Sequence, residues 1–173
     1  MRSLVLTAIG DDRPGLVEAL ATTISNAGGN WLESSMAQLA GKFAGILRVE
    51  VADDAADRLI SALEAMAALK VTVTRAGDVA RPEAPRRLHL TLVGQDRVGI
   101  VREVSQVLAR HAVNVEELNT LISSAPMSGE TLFHARASLQ GGQDLDAAAL
   151  KAALEALSND LIVDITLDEV VSI

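Results

Sequence analysis

The length, composition and charge of the chain restrict the classes of protein to which it can belong. It has 173 residues, which is enough for one domain or for two small ones. Hydrophobic residues make up 49% of the sequence and charged residues 22%, a balance typical of a folded globular protein. A net charge of −8 with only 2% aromatic residues disfavours binding to DNA phosphates and stacking on single-stranded nucleic acid.

Several further classes of protein are excluded by residues or motifs that the sequence lacks. It contains no cysteine, so disulfides, thiolate metal sites and cysteine nucleophiles are excluded. The apolar run after Met1 is too short for a signal-peptide core, and no apolar stretch approaches the roughly 20 residues that span a bilayer. We therefore expect a cytoplasmic protein that does not contact a membrane. With no metal-binding spacing around its three histidines and no phosphate-binding or hydrolase motif, we assign no catalytic residue, metal or cofactor.

The most informative feature of the sequence is an internal repeat with an offset of 84 residues. The segment 10–17, GDDRPGLV, aligns without gaps with the segment 94–101, GQDRVGIV, and the same offset places Asn30 on Asn114. The repeat predicts two copies of one module, residues 1–76 and residues 88–173. Residues 77–87 contain two prolines and several charges without periodicity, which predicts a linker.

In the first module the pattern predicts strand, helix, strand, strand, helix, strand. An apolar run over residues 4–9 predicts the first strand, and Pro14 fits the first turn of the helix that follows. We expect Asp11 and Asp12 to favour the start of that helix by capping and through its dipole, and Gly28 and Gly29 to end it. The predicted buried stripe of the helix is Val17, Leu20, Ile24 and Ala27. The later strands are predicted over 31–39, 43–51 and 69–75, and a second helix capped by Asp53.

The second module repeats this order. Its strands are predicted over residues 88–93, 115–124, 131–139 and 161–167. Its first helix is predicted to face the core with Ile100, Val101, Val104, Val107 and Leu108, and its second helix to start at Asp144. The expected fold class is α+β, with two tandem ferredoxin-like βαββαβ modules whose antiparallel sheets carry helices on one face.

These residues resemble a known family. A βαββαβ unit that opens with an apolar strand, continues with Asp12-Arg13-Pro14-Gly15 and has Asn30 about fifteen residues later resembles an ACT domain. Asp96-Arg97-Val98-Gly99 and Asn114 repeat the pattern. Two such modules in tandem, covering nearly the whole chain, resemble the glycine cleavage system transcriptional repressor family.

The resemblance implies an amino-acid sensor. ACT domains commonly bind amino acids where the first strand meets the first helix, and members of the repressor family are thought to act through a DNA-binding activator. The candidate ligand-binding residues are Asp12, Arg13, Pro14, Gly15, Asn30, Asp96, Arg97, Val98, Gly99 and Asn114. A helix N-terminus offers N–H groups to a carboxylate, and Asp and Asn side chains can accept bonds from an ammonium group. Because Pro14 is replaced by Val98 in the second module, we expect the first module to bind better.

Each candidate residue also has a purely structural interpretation. The aspartates can act as helix caps without binding a ligand, the arginines can pair with neighbouring carboxylates, and the asparagines can stabilise turns. The glycines can allow tight packing without touching a ligand.

The sequence leaves more than one function open. The first is a regulatory protein that senses a small amino acid, with glycine favoured, represses transcription through a protein partner and forms a homo-oligomer. The alternatives are an interaction module that binds no ligand and a non-catalytic relative of an ACT-containing metabolic enzyme. We do not expect an enzyme, because the two modules account for the chain and leave no room for a catalytic domain.

Overall fold

A computed structural model describes residues 1–77 and 85–167. The described residues form two compact units, one on each side of residues 78–84. Most of the predicted linker, 77–87, lies outside the described residues, and the first strand of the second unit already begins at Arg86. Neither described range contains a helix that is long and apolar enough to cross a membrane.

The first unit has the predicted order of four strands and two helices. Its elements are β1 (Arg2–Asp11), α1 (Leu16–Asn26), β2 (Asn30–Leu39), β3 (Lys42–Val51), α2 (Ala56–Glu64) and β4 (Lys70–Arg75). The second unit repeats them as β5 (Arg86–Gln95), α3 (Ile100–Arg110), β6 (Asn114–Ser124), β7 (Thr131–Gly141), α4 (Ala147–Glu155) and β8 (Ile162–Leu167).

Each unit forms one four-stranded antiparallel sheet. The strand orders are β2-β3-β1-β4 and β6-β7-β5-β8, so the first strand of each unit is central and the second strand lies at an edge. The third strand lies between the first and second strands, which is the ferredoxin-like arrangement. The α+β fold class predicted from the sequence is confirmed.

The core of each unit lies between its sheet and its two helices. Along β1 the buried side chains alternate with more exposed ones, as expected for a sheet with one covered face. Fully buried side chains in the first unit include Leu4, Leu6, Leu20, Ile24, Leu59 and Leu63. The second core is built in the same way from aliphatic residues and Phe133. Because the helices cover only one face of each sheet, the other face is left open.

The predicted helix starts are wrong in detail. Neither Asp11 nor Asp12 caps α1, because the residue before the helix is Gly15 and no side chain bonds its first turn. Pro14 lies in the turn that precedes the helix. Val17 and Val101 were predicted to be buried, but they are 48% and 44% exposed, since each lies one residue past the buried stripe of its helix.

The second helix of each unit also begins later than predicted. Asp53 does not cap α2, whose N-cap is Ala55; its carboxylate instead pairs with the N-terminal ammonium group at 2.7 Å. In the second unit Asp146, not Asp144, caps α4 by accepting a hydrogen bond from the Ala149 N–H at 3.0 Å.

The cap of α4 can be tested by substitution. Asp146→Ala removes the side-chain acceptor that bonds the first turn of that helix and should lower the free energy of unfolding by about 1 kcal/mol. Denaturant unfolding followed by circular dichroism measures the change. Asp144→Ala is the matched control and should change stability by less than about 0.5 kcal/mol. Equal losses in the two variants would contradict the assignment of Asp146 as the cap.

Candidate functional site

The connection between β1 and α1 carries the first group of candidate residues. The backbone N–H of Asp12 donates to the Gly41 carbonyl at 2.9 Å, which extends the β1–β3 ladder by one step. The chain then turns into the helix through Gly15, whose φ of 90° is in the left-handed region. A Cβ at Gly15 would meet little, so glycine is required by the backbone angle and not by tight packing.

A cleft of about 500 Å³ lies beside this connection and is open to solvent. Three of the predicted residues, Asp12, Arg13 and Gly15, line it. The rest of the lining is Leu16, Val17, Glu18, Ala21 and Phe43. The exposed side chain of Val17 is thereby explained, because it forms part of an apolar wall and not part of the core.

The first turn of α1 presents unbonded N–H groups at the cleft. The helical ladder begins where the Ala19 N–H donates to the Gly15 carbonyl at 2.9 Å. The N–H groups of Leu16, Val17 and Glu18 therefore have no helical acceptor, and no side chain caps them. Such a helix end attracts a negative group.

The charged side chains around the cleft are unequally paired. Lys42 forms an ion pair with Asp11. This pair, and more weakly the charge of Arg13, holds the pKa of the Asp11 carboxyl below its usual value. Among the described residues Arg13 itself forms no ion pair. The cleft therefore combines an unpaired guanidinium with free helix N–H groups, and two carboxylates, Asp12 and Glu18, line the same cleft.

The corresponding connection in the second unit has the same backbone but different side-chain contacts. Gly99 has a φ of 92°, and the Asp96 N–H donates to the Thr131 carbonyl at 2.8 Å. Arg97 is held by Glu103 in a bidentate ion pair, with Nη1–Oε1 and Nη2–Oε2 distances of 2.9 and 2.5 Å. Val98 is fully exposed. The predicted residues Asp96 to Gly99 thus lie together, with the arginine already paired.

The two asparagines lie at the other end of each sheet. Asn30 is in register with Glu50 and Ser3, whereas the turn to α1 follows Gly10 and Asp11. Ser3 and Gly10 are seven residue steps apart along β1, which corresponds to about 23 Å. Asn114 lies equally far from its connection, because its row contains Arg87. Within one unit, a single amino acid therefore cannot contact both the asparagine and the loop.

Several residues at these sites were not found from the sequence. Phe43 and Ala21 line the cleft although they lie outside the repeated motif. Glu103 is not among the residues predicted from the sequence, yet its side chain forms the ion pair with Arg97. The repeat could have revealed it, because the offset of 84 aligns Glu103 with Ala19, so that the two modules differ by a carboxylate close to the shared motif.

Comparison with known proteins identifies the class. Residues 2–74 match the family model of the ACT domain. The first unit is therefore an ACT domain, and the second unit repeats its topology, which gives the tandem arrangement that the resemblance predicted.

The more specific resemblance is to glycine cleavage system transcriptional repressors. The chain is 26% identical to the proteins of that name from Escherichia coli (strain K12) and Shigella flexneri, over 161 residues that cover 91% of this chain and 85% of each relative. Those proteins are named as repressors and not as enzymes. The similarity supports a regulatory role.

Two solved structures resemble the chain over nearly its whole length. One is of an unknown protein from Galdieria sulphuraria, with 32% identity, a TM-score of 0.77 and coverage of 98% of this chain and 99% of that one. The other, described as a putative glycine cleavage system transcriptional repressor, is 18% identical with a TM-score of 0.72 and coverage of 97% and 98%. The second likeness shows the fold alone.

The ion pair in the second unit makes a testable prediction about pH. Hydrogen bonding from Arg97 keeps the pKa of the Glu103 carboxyl below its ordinary value of 4.5. The stabilisation from this pair should therefore be fully present above about pH 4.5 and be lost as the pH falls through the lower folded-state pKa. Carboxyl-carbon NMR titration of Glu103 should show a rise in its pKa in Arg97→Ala, but little change in the control Arg110→Ala. An unchanged pKa in Arg97→Ala would contradict the pairing.

Proposed function

We propose that this chain is a regulatory protein that senses a small amino acid in the cleft of its first module. The observation that carries the proposal is the open cleft at the start of α1, where an unpaired guanidinium and free N–H groups lie beside two carboxylates. A zwitterionic amino acid needs donors for its carboxylate and acceptors for its ammonium group.

The contacts suggest an orientation for the amino acid. The N–H groups of Leu16 and Val17, together with Arg13, would bind the carboxylate. Asp12 or Glu18 would accept hydrogen bonds from the ammonium group. The remaining wall of the cleft, formed by Ala21 and Phe43, is apolar and offers no charged partner to a polar side chain. This lining disfavours an amino acid with a charged side chain, and glycine is our first choice because of the repressor relatives.

The output of the sensor is proposed to be contact with a protein and not with DNA. The net charge of −8 opposes binding to phosphates. Since the relatives are transcriptional repressors, we propose a DNA-binding activator in the cytoplasm as the partner. The amino acid can change this contact only if it binds two arrangements of the protein with different affinities.

A thermal-unfolding screen against the standard amino acids tests the sensor. An amino acid present at 100 times its Kd should stabilise the protein by about 2.7 kcal/mol, which raises Tm measurably. We expect a selective rise with glycine or a close relative, read by differential scanning fluorimetry at millimolar concentrations. No rise with any amino acid would leave a ligand-free interaction module as the better interpretation.

Two matched variants locate the site. Asp12→Ala should reduce the rise in Tm, because it removes an acceptor from the cleft of the first module. Asp96→Ala, the same change at the equivalent position of the second module, should reduce it less. Equal effects of the two substitutions would contradict a site in the first module.

We also propose that the chain forms a homo-oligomer through its edge strands. The side chains of β6 are exposed along almost the whole strand, and Leu118, Leu121 and Ile122 are 49%, 59% and 59% exposed. An exposed apolar edge strand is a template for pairing with another chain, and a two-fold dimer is the commonest outcome in soluble proteins. This surface is also the observation that favours the alternative of an interaction module without a ligand.

Light scattering after size exclusion tests the oligomer. The unmodified chain should elute at twice the monomer mass at micromolar concentration. Leu118→Lys should shift it toward the monomer, because a buried lysine would lack a partner in the new interface. Met127→Lys, a change at a fully exposed loop residue outside the strand, is the control and should leave the mass unchanged. A monomeric parent chain would exclude the proposed dimer.

A further inference from the structure

The two copies of the β–α connection differ most in what surrounds their arginines. Ala19 and Glu103 occupy the same place, since each donates its N–H to the carbonyl of the glycine that starts its helix. In the second module the carboxylate of this residue binds the Arg97 guanidinium, whereas in the first module the methyl group of Ala19 cannot bind Arg13.

A second position changes in the same sense. The last strand of each unit starts opposite an equivalent residue of the central strand, Lys70 opposite Ile9 and Ile162 opposite Val93. Ala68 and Asp160, each two residues before the last strand, are therefore equivalent positions. Both lie next to the glycine at the end of the central strand. The charge of Asp160 acts on Arg97 and, after Glu103, contributes to keeping that guanidinium protonated, with its pKa raised. At these two positions the second module has carboxylates and the first has alanines. Asp11, whose charge also interacts with that of Arg13, is paired with Lys42.

We propose that Glu103 occupies, within the chain itself, the position that the carboxylate of an amino acid would take at Arg97, so that only the first module binds an amino acid. The inference rests on the proposed function for its biological meaning. The difference in carboxylate binding between Arg13 and Arg97 can be tested without it. Arg97 uses both terminal nitrogens on Glu103, which is the bidentate contact that a guanidinium makes with a free carboxylate.

Tethering explains why a free amino acid would not displace Glu103. A group held nearby by the chain acts at an effective concentration of about millimolar or more. Glu103 is further fixed by the first turn of α3, where its N–H is bonded to Gly99 at 3.0 Å. An amino acid at ordinary cellular levels must outcompete this carboxylate at Arg97, whereas among the described residues no carboxylate forms an ion pair with Arg13. The duplicated chain thus has one open site and one closed by its own residue.

The experiment uses sodium acetate as a minimal carboxylate, with sodium chloride at the same ionic strength as the control. The Nε–Hε signals of Arg13 and Arg97 are followed by NMR in the full chain. In the parent protein we expect acetate to shift the Arg13 signal and to leave the Arg97 signal in place. In Glu103→Ala both signals should shift, and Glu103→Gln, which keeps the shape of the side chain, should behave in the same way.

The reciprocal change closes the open site. Ala19→Glu should place a carboxylate on Arg13 and abolish its response to acetate, whereas Ala19→Gln should preserve the response. With glycine as the probe in calorimetry, Ala19→Glu should weaken binding at least about tenfold, and Glu103→Ala should raise the stoichiometry from one to two per chain.

The outcomes separate this inference from the proposed function. Three results would each overturn the inference. Acetate could shift both arginine signals of the parent equally, it could fail to shift the Arg97 signal in both Glu103 variants, or it could shift the Arg13 signal in Ala19→Glu as in the parent. If these occur while amino acids still raise Tm selectively, the sensor stands without the closed site. If the acetate results are as expected but no amino acid raises Tm, the inference holds and the sensor fails.

Discussion

The left-handed turn at Gly15 and Gly99 is the constraint on which both modules depend. With φ values of 90° and 92°, the chain leaves the central strand and enters its helix within four residues. A residue with a Cβ would be strained there, so the turn needs glycine. Glycine has no side chain with which to cap the helix. The N–H groups of Leu16, Val17 and Glu18 therefore have no helical or side-chain acceptor, whereas in α3 the Ile100 N–H donates to the Arg97 carbonyl at 3.4 Å. The same backbone requirement thus fixes the fold and creates a place where an anion can bind.

Much of this architecture could be predicted from the sequence because it depends on local patterns. The alternation of Leu4, Leu6 and Ala8 predicts a strand with one covered face. Because of the repeat, each prediction for the first module also applies to the second. The helix starts were less predictable. Acidic residues that cap helices and acidic residues that pair with cations look alike in a sequence, and only the fold places Asp53 on the N-terminal ammonium group.

The site was predictable only in part, for a similar reason. Asp12, Arg13 and Gly15 are neighbours in sequence and remain neighbours in the cleft. Asn30 follows the helix and lies at the far end of the sheet, because α1 carries the chain back along β1 before β2 begins. Phe43 enters the cleft through strand register, which no local pattern encodes. Matching residue types in two repeats reveals what is shared, whereas the proposed difference between the two modules depends on positions such as Ala19 and Glu103 that do not match.

Bulges interrupt two of the four edge strands, β2 and β6. Each interrupts its strand near the start, between Trp31 and Glu33 and between Val115 and Glu117. A chain with two open sheets has enough edges to join others at both ends, which is the condition for endless fibres. A bulge breaks the even spacing of N–H and carbonyl groups, so an added strand can pair only with the residues beyond it. In β2 and β6 an added strand is therefore restricted to residues 33–39 and 117–124. Duplication doubled the number of sheet edges, and each unit has one edge that is restricted in this way.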